Sequence, residues 1–199
     1  MNNNDTSNSV LSADESSLRH TLLDLIVKYA YREGDFVLSS GAKSSYYINC
    51  KEVTLRAEGA LIIGRLILNI LPETTNAVAG LTLGADPIVS AVSVVSALTE
   101  TPIPALIIRK EAKGHGTKAY IEGPSLAESA EVVVLEDVVT TGKSALQAVE
   151  RLQDANYKVS RIIALVDRKQ GGEELYKSRG LGFQALFTIE DLQRYVTST

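Results

Sequence analysis

Val132-Val133-Val134-Leu135-Glu136-Asp137-Val138-Val139-Thr140-Thr141-Gly142-Lys143-Ser144 sets four apolar residues before two adjacent acids and a short hydroxyl-rich turn. An apolar run with no polar alternation is the mark of a strand covered on both faces, as in a parallel sheet. Beyond Gly142, apolar residues recur at helical spacing (Ala145, Leu146, Val149, Leu152), so the stretch reads as strand, turn and helix. Such a turn presents backbone N–H groups, hydroxyls and the positive end of a helix, which together suit a phosphate dianion. Glu136 and Asp137 repel that anion and must face something else. Vicinal sugar hydroxyls and a nearby hard cation such as Mg²⁺ suit carboxylates, and a phosphorylated ribose meets both demands.

Three other readings of these motifs are weaker. Two acids could merely cap the turn, but acids that directly follow a wholly apolar strand are seldom spent on structure alone. Gly142-Lys143-Ser144 matches the end of a Walker P-loop, yet that pattern needs glycine where Asp137 stands. A dinucleotide-binding fingerprint at Gly114 and Gly116 fails at Ala119, and no strand-to-helix turn surrounds it.

Working outward, 77–81 reads as a strand, and Asp86-Pro87 supplies an N-cap and first-turn proline for a helix to about 98. Strands are expected at 104–109, 132–136, 159–166 and 183–187, with helices at 142–156 and 173–179. Thr188-Ile189-Glu190-Asp191 offers a capping-box start for a terminal helix. This alternation predicts an α/β fold with a doubly wound, mostly parallel sheet flanked by helices and a ligand site beyond the carboxyl ends of its strands. Upstream, Leu18, Leu22, Leu25, Ile26 and Tyr29 predict a helix over 17–32. Segments 35–38 and 46–49 flank Ser39-Ser40-Gly41-Ala42 as a small antiparallel pair, and a helix over 57–71 stops at Pro72. Residues 1–17, rich in Asn and Ser with no Lys or Arg, are expected to form a disordered tail without features of a targeting peptide. Residues 18–199 are then one domain, with a small hood from about 18–56 plus C-terminal segments and a core of about 57–170.

The chain has 199 residues, is 45% hydrophobic and carries a net charge of −4. Such a balance offers no general attraction to nucleic acid or acidic membranes. The most apolar stretches, 59–71 and 87–98, are shorter than the ~20 residues a membrane span needs. A single cysteine, Cys50, excludes an internal disulfide and Cys-rich zinc sites, which points to a reducing, cytoplasmic setting. An anionic ligand must therefore meet a local basic cluster. Arg109-Lys110-Glu111-Ala112-Lys113-Gly114-His115-Gly116 together with Lys118 is one, with a net charge of +3. Glycines beside cations suit a segment that covers a polyanion and excludes water.

The apolar run, acidic pair and Thr-Thr-Gly turn resemble the 5-phosphoribosyl-1-pyrophosphate (PRPP) signature of type I phosphoribosyltransferases. The basic segment resembles the flexible catalytic loop of the orotate phosphoribosyltransferase family, which reaches the dimer partner's site. Phe36-Val37-Leu38-Ser39-Ser40-Gly41-Ala42-Lys43-Ser44-Ser45-Tyr46-Tyr47 resembles that family's N-terminal hood, and Asp167-Arg168 ends a strand where a guanidinium suits a ligand carboxylate.

The resemblance implies a type I phosphoribosyltransferase fold and the synthesis of orotidine 5′-monophosphate and pyrophosphate from orotate and PRPP, in pyrimidine (UMP) biosynthesis. It implies that Glu136 and Asp137 hold the ribose hydroxyls and that Val138, Val139, Thr140, Thr141, Gly142, Lys143 and Ser144 hold the 5′-phosphate. Arg109, Lys110, Lys113 and His115 would serve the pyrophosphate, with 109–118 shared across a homodimer. Lys113, His115, Arg109, Lys110 and Asp137 would form the catalytic set, and Thr140 and Arg168 would contact orotate. Mg²⁺ would arrive with PRPP rather than on ligands of the chain. Two departures stand out: Ser39 replaces a lysine common in the family, and Gly84-Ala85-Asp86-Pro87 falls where some members carry a Tyr-Lys pair, leaving the Gly84 and Ala85 amides to meet the pyrophosphate. A different base, or a PRPP-sensing regulator that binds nucleic acid, are the alternatives.

Overall fold

The computed structural model describes residues 13–37, 41, 43–113 and 120–198. Helix α1 (Glu15–Leu25) starts where the Asp14 side chain accepts the Ser17 N–H at 2.8 Å, and it buries Leu18, Leu22 and Leu25. The periodicity predicts one helix to residue 32, but the ladder widens into a π-helical turn (Ile26–Ala30) and strand β1 (Tyr31–Val37) begins. Sheet pairing overrides helical period here: β1 runs antiparallel to β2 (Lys43–Ile48), with Tyr31 opposite Ile48 and its ring centroid 6.0 Å from that of Tyr46. Of the predicted turn between them, Ser39, Ser40 and Ala42 lie outside the described residues.

Short α2 (Lys51–Thr54) and α3 (Ala57–Ile70) lead into the main body. There follow β3 (Ala77–Leu81), α4 (Asp86–Ser96), β4 (Ala105–Ile108), β5 (Ile121–Glu122) and β6 (Val132–Val139). The chain ends with α5 (Lys143–Asp154), β7 (Arg161–Asp167), α6 (Gly172–Ser178), β8 (Gly182–Thr188) and α7 (Ile189–Ser198). The six-stranded sheet has the order β5-β4-β3-β6-β7-β8 and is parallel except for β5, which runs against β4. It is an α/β sheet with helices on both faces. Val133 and Leu135 of β6 pack with α1, α3 and α4, while Val132 and Val134 pack with α5 and Tyr176 of α6. Burial on both faces is why this strand shows no polar alternation. No helix among the described residues is long and apolar enough to cross a membrane.

Chain order determines where a ligand can sit. From β3 the chain winds outward to β4, and it then returns to β6 on the other side of β3. Connections leaving neighbouring strands in opposite directions open a crevice at their carboxyl ends. Residues 82–85 border it from β3, and the acid pair borders it from β6.

Two of the boundaries that differ from the sequence expectation lie at this crevice. Strand β6 does not end at Glu136: pairing of Val138 with Val166 and Val139 with Asp167 carries it past both acids. Asp86 is the first residue of α4 rather than its cap, a position held by Ala85, and its Oδ2 accepts the Thr82 hydroxyl at 2.7 Å. The capping box at Thr188 is present, with Asp191 Oδ2 accepting the Thr188 N–H at 2.8 Å and the Asp191 N–H donating back to Thr188 Oγ1 at 3.2 Å.

Gly80 permits the tight exit from β3. A Cβ there would overlap the methyl of Ala85 and stand 2.9 Å from the Leu135 carbonyl. Gly80→Ala is therefore expected to lose about 1–3 kcal/mol of stability while keeping the far-UV circular dichroism of the native fold. A thermal melt matching the parent would show that 82–85 does not need this close approach.

Candidate active site

The turn after β6 is built around Gly142, which caps α5 at φ 82° with the Tyr176 ring where a side chain would go: a Cβ on Gly142 would stand 2.8 Å from Tyr176 Cε1. Only glycine takes this left-handed conformation without cost, and here any larger residue would also displace the ring. Val138, Val139, Thr140, Thr141, Gly142, Lys143 and Ser144 surround a cavity of about 70 Å³, together with Glu136 and Tyr176. All seven residues expected to hold a phosphate are thus brought together, at the start of a helix of 12 residues.

The acid pair is divided between two surroundings. Glu136 is buried and lines the turn cavity, and its Oε1 accepts the Asp137 N–H at 3.3 Å. Asp137 faces residues 82–85: a Cβ on Gly84 would stand 2.6 Å from Asp137 Oδ1, which also accepts the Val138 N–H at 2.8 Å. Gly84 is required because the carboxylate occupies the space of its missing side chain. Burial pushes the Glu136 carboxyl well above the ordinary glutamate range, the neighbouring Asp137 charge adds to this, and Lys110 opposes it. The Ala85 N–H, expected to face a ligand, donates instead to the Leu81 carbonyl at 3.4 Å. Cys50 is buried beneath the site, its Sγ 4.0 Å from the Asp137 carbonyl, and burial pushes its thiol pKa up, as expected of an inert thiol.

The basic segment leaves β4 on the opposite side of the crevice. Arg109 Nη1 lies 3.1 Å and Lys113 Nζ 3.8 Å from Glu122 Oε1 on β5. His115 and Lys118 lie outside the described residues.

Arg168 follows β7 and joins two parts of the site. Its backbone N–H donates to the Val139 carbonyl at 2.9 Å, while Nε donates to Tyr46 Oη at 3.2 Å and Nη2 to Ser44 Oγ at 3.0 Å, both on β2. The guanidinium carbon also sits 4.5 Å from the Tyr46 ring centroid. Arg168 is only 7% exposed, and among the described residues no carboxylate pairs with it. Asp167 next to it is engaged by Lys169, whose N–H donates to Oδ1 at 2.9 Å. Burial of a guanidinium without a counter-ion is costly and is relieved by an anionic ligand.

Sequence reasoning passed over Tyr176 and Glu122 as functional neighbours, and it placed Ser44 and Tyr46 in the hood without pairing them with Arg168. Tyr176 has a helical apolar spacing that carries no sign of its place beneath Gly142. Glu122 belongs to a two-residue strand too short to show a period.

Comparisons with known proteins place this sheet, with its turn at the switch point, among the phosphoribosyltransferases. A family model described as uracil phosphoribosyltransferase matches residues 88–178. The orotate phosphoribosyltransferase of Nostoc sp. strain PCC 7120 is 69% identical over 183 residues, 92% of this chain and 89% of that protein. Two crystal structures of the Mycobacterium tuberculosis orotate phosphoribosyltransferase superimpose well. The complex with Fe(III) dicitrate gives a TM-score of 0.77 at 36% identity, covering 88% of this chain and 98% of that one. The complex with PRPP gives 0.74 at 33% identity, covering 88% and 99%. The chain belongs to the orotate phosphoribosyltransferase family. It is an enzyme of the pentosyltransferase class.

The raised pKa of Glu136 has a defined consequence for stability. Between the unfolded and folded pKa values the unfolded chain has released this proton and the native state has not, so stability falls as pH rises through that window. Glu136→Gln is neutral at every pH. Its melting temperature relative to the parent is expected to be higher at pH 8 than at pH 5, and an equal difference at both would mean that Glu136 titrates normally.

Proposed function

We propose that the chain joins orotate to PRPP, releasing pyrophosphate and forming orotidine 5′-monophosphate with inversion at the anomeric carbon, in the cytoplasmic synthesis of UMP. One observation carries the choice of acceptor: Arg168 is a buried guanidinium with no carboxylate partner among the described residues, set between the phosphate-turn strand and the β1–β2 hood. A planar acid such as orotate supplies the missing counter-ion, which uracil, adenine and hypoxanthine do not. Thr140, which lines the turn cavity, contacts the base.

The ribose 5′-phosphate lies in the turn 138–144, held by N–H groups and the α5 N-terminus. Asp137 accepts from the ribose hydroxyls on the crevice side, and Glu136 supports them from the turn side. In the reaction the N1–C1′ bond to orotate forms as the C1′–O bond to pyrophosphate breaks, through a transition state of oxocarbenium character. No covalent intermediate on the chain is needed. Pyrophosphate leaves against Arg109, Lys110, Lys113 and His115, with the Gly84 amide on the opposite side, and their preorganised charge is the main source of rate. In a homodimer, part of the 109–118 segment serves the partner's site.

Among the described residues no three His, Cys, Asp or Glu side chains cluster to hold a metal. Asp137, at the crevice, is the carboxylate that would face a Mg²⁺ ion arriving with PRPP. When bound, the ion neutralises charge on the pyrophosphate.

The direct test is the absorbance change on mixing the protein with orotate, PRPP and Mg²⁺, with uracil, adenine and hypoxanthine as parallel acceptors. Turnover of orotate alone is expected. Turnover of uracil instead would favour the description of the matching family model and remove the role of Arg168. Salt-sensitive nucleic-acid binding without turnover would favour a regulator.

Two substitutions separate the parts. Lys113→Ala is expected to lower kcat by about 10²–10³ with the fold intact. Arg168→Met is expected to lower kcat/KM for orotate by roughly 10², the loss of a hydrogen-bonded charge contact. Steady-state kinetics with each substrate varied in turn would read both, and parental values would discard the corresponding assignment.

A further inference from the structure

Arg151 makes three contacts that the reaction geometry above does not use. It lies on α5, about two turns beyond the phosphate turn, and its side chain runs back toward the start of that helix. Nη1 donates to the Arg109 carbonyl, Nη2 donates to the Lys110 carbonyl at 2.8 Å, and the guanidinium carbon stands 4.1 Å from the Tyr120 ring centroid. The Arg109 N–H in turn donates to the Tyr120 carbonyl at 2.8 Å. One side chain therefore grips both sides of the neck of the basic segment: residues 109 and 110 as it leaves β4, and residue 120 as it returns to β5.

The chemistry suits arginine in particular. A planar fork can donate to two successive carbonyls while its face lies on an aromatic ring, whereas an ammonium serves one acceptor as a point charge. The guanidinium is also carried by the helix whose first turn surrounds the phosphate cavity. The neck and the phosphate turn are thereby referred to one rigid element.

We propose that Arg151 is a positioning residue for pyrophosphate departure: it fixes the backbone from which Arg109, Lys110 and Lys113 project, in register with the helix that holds the 5′-phosphate. This rests on the pyrophosphate role assigned to those cations. Arg151 does not touch substrate. It acts through its neighbours, and small misplacements of groups around a reacting centre are enough to slow it strongly.

A double-mutant cycle of Arg151→Met and Lys113→Ala on the full chain tests this, with kcat, both KM values and melting temperatures recorded. Arg151→Met is expected to lower kcat about tenfold and leave KM for orotate unchanged, because the Arg168 pocket lies elsewhere. In the Lys113→Ala background the same change is expected to cost measurably less than in the parent, since one of the three cations it positions is gone. A parental kcat for Arg151→Met beside a crippled Lys113→Ala overturns the proposal and leaves the function intact. Equal losses in both backgrounds overturn it too, as they mark a general structural effect. A fully active Lys113→Ala removes the role of the basic segment and the proposal with it. Should Arg151→Met not fold, Arg151→Lys carries the test: a loss of about threefold or more in kcat is expected from a side chain that can serve only one carbonyl, and the parental rate overturns the proposal.

Discussion

Strand β6 is buried on both faces and yet carries two acids near its carboxyl end, and most of the site follows from reconciling those facts. An apolar strand in the middle of a parallel sheet has no solvent to offer a carboxylate until its neighbours diverge. They diverge between β3 and β6, where the chain reverses its direction of winding. Asp137 meets that opening over Gly84, and Glu136, one residue earlier, remains buried with its carboxyl pushed toward the neutral form. Two adjacent acids thus work in different surroundings. One faces the crevice beside Gly84, and the other lines the cavity of the 138–144 turn.

The positive groups are distributed by a similar logic. Arg168 is fixed in place by neutral partners, the hydroxyls of Ser44 and Tyr46, which orient a guanidinium without neutralising it. Its charge meets no carboxylate among the described residues. Arg109 and Lys113 are placed differently, on an exposed edge where both lie near Glu122. Exposed pairs of this kind are worth little, so on the proposed reading exchanging Glu122 for pyrophosphate costs little. A permanent buried cation fits recognition of one acidic group, and loosely held cations fit a leaving group that arrives and departs.

Much of the fold is legible in the sequence because its signals are local. The apolar run 132–135, the Pro72 stop, the Thr188 capping box and the strand at 77–81 each depend on residues within a few positions of one another. The pattern misleads where a distant partner decides. Tyr31 leaves a helical pattern because Ile48 pairs with it, and β6 extends to Val139 because β7 continues alongside. Asp86 has the residue type of a cap and is instead inside the helix, bonded back to Thr82. Strand β5 has two residues and exists only through its pairing with β4.

The amino-acid sequence by itself determined the class of chemistry, since a phosphate turn with an acid pair at a strand exit is written within 13 consecutive residues. It also named Arg168, Lys113 and the basic segment as candidates. Only the tertiary structure decided that Arg168 lacks a carboxylate partner, that Asp137 fills the place of a Gly84 side chain, that Tyr176 lies under Gly142 and that Arg151 holds the neck of the basic segment. Each of these joins residues dozens of positions apart. Hydrophobic periodicity and turn chemistry report what a residue does to its own element, whereas burial, pairing and charge balance depend on which elements the fold sets side by side.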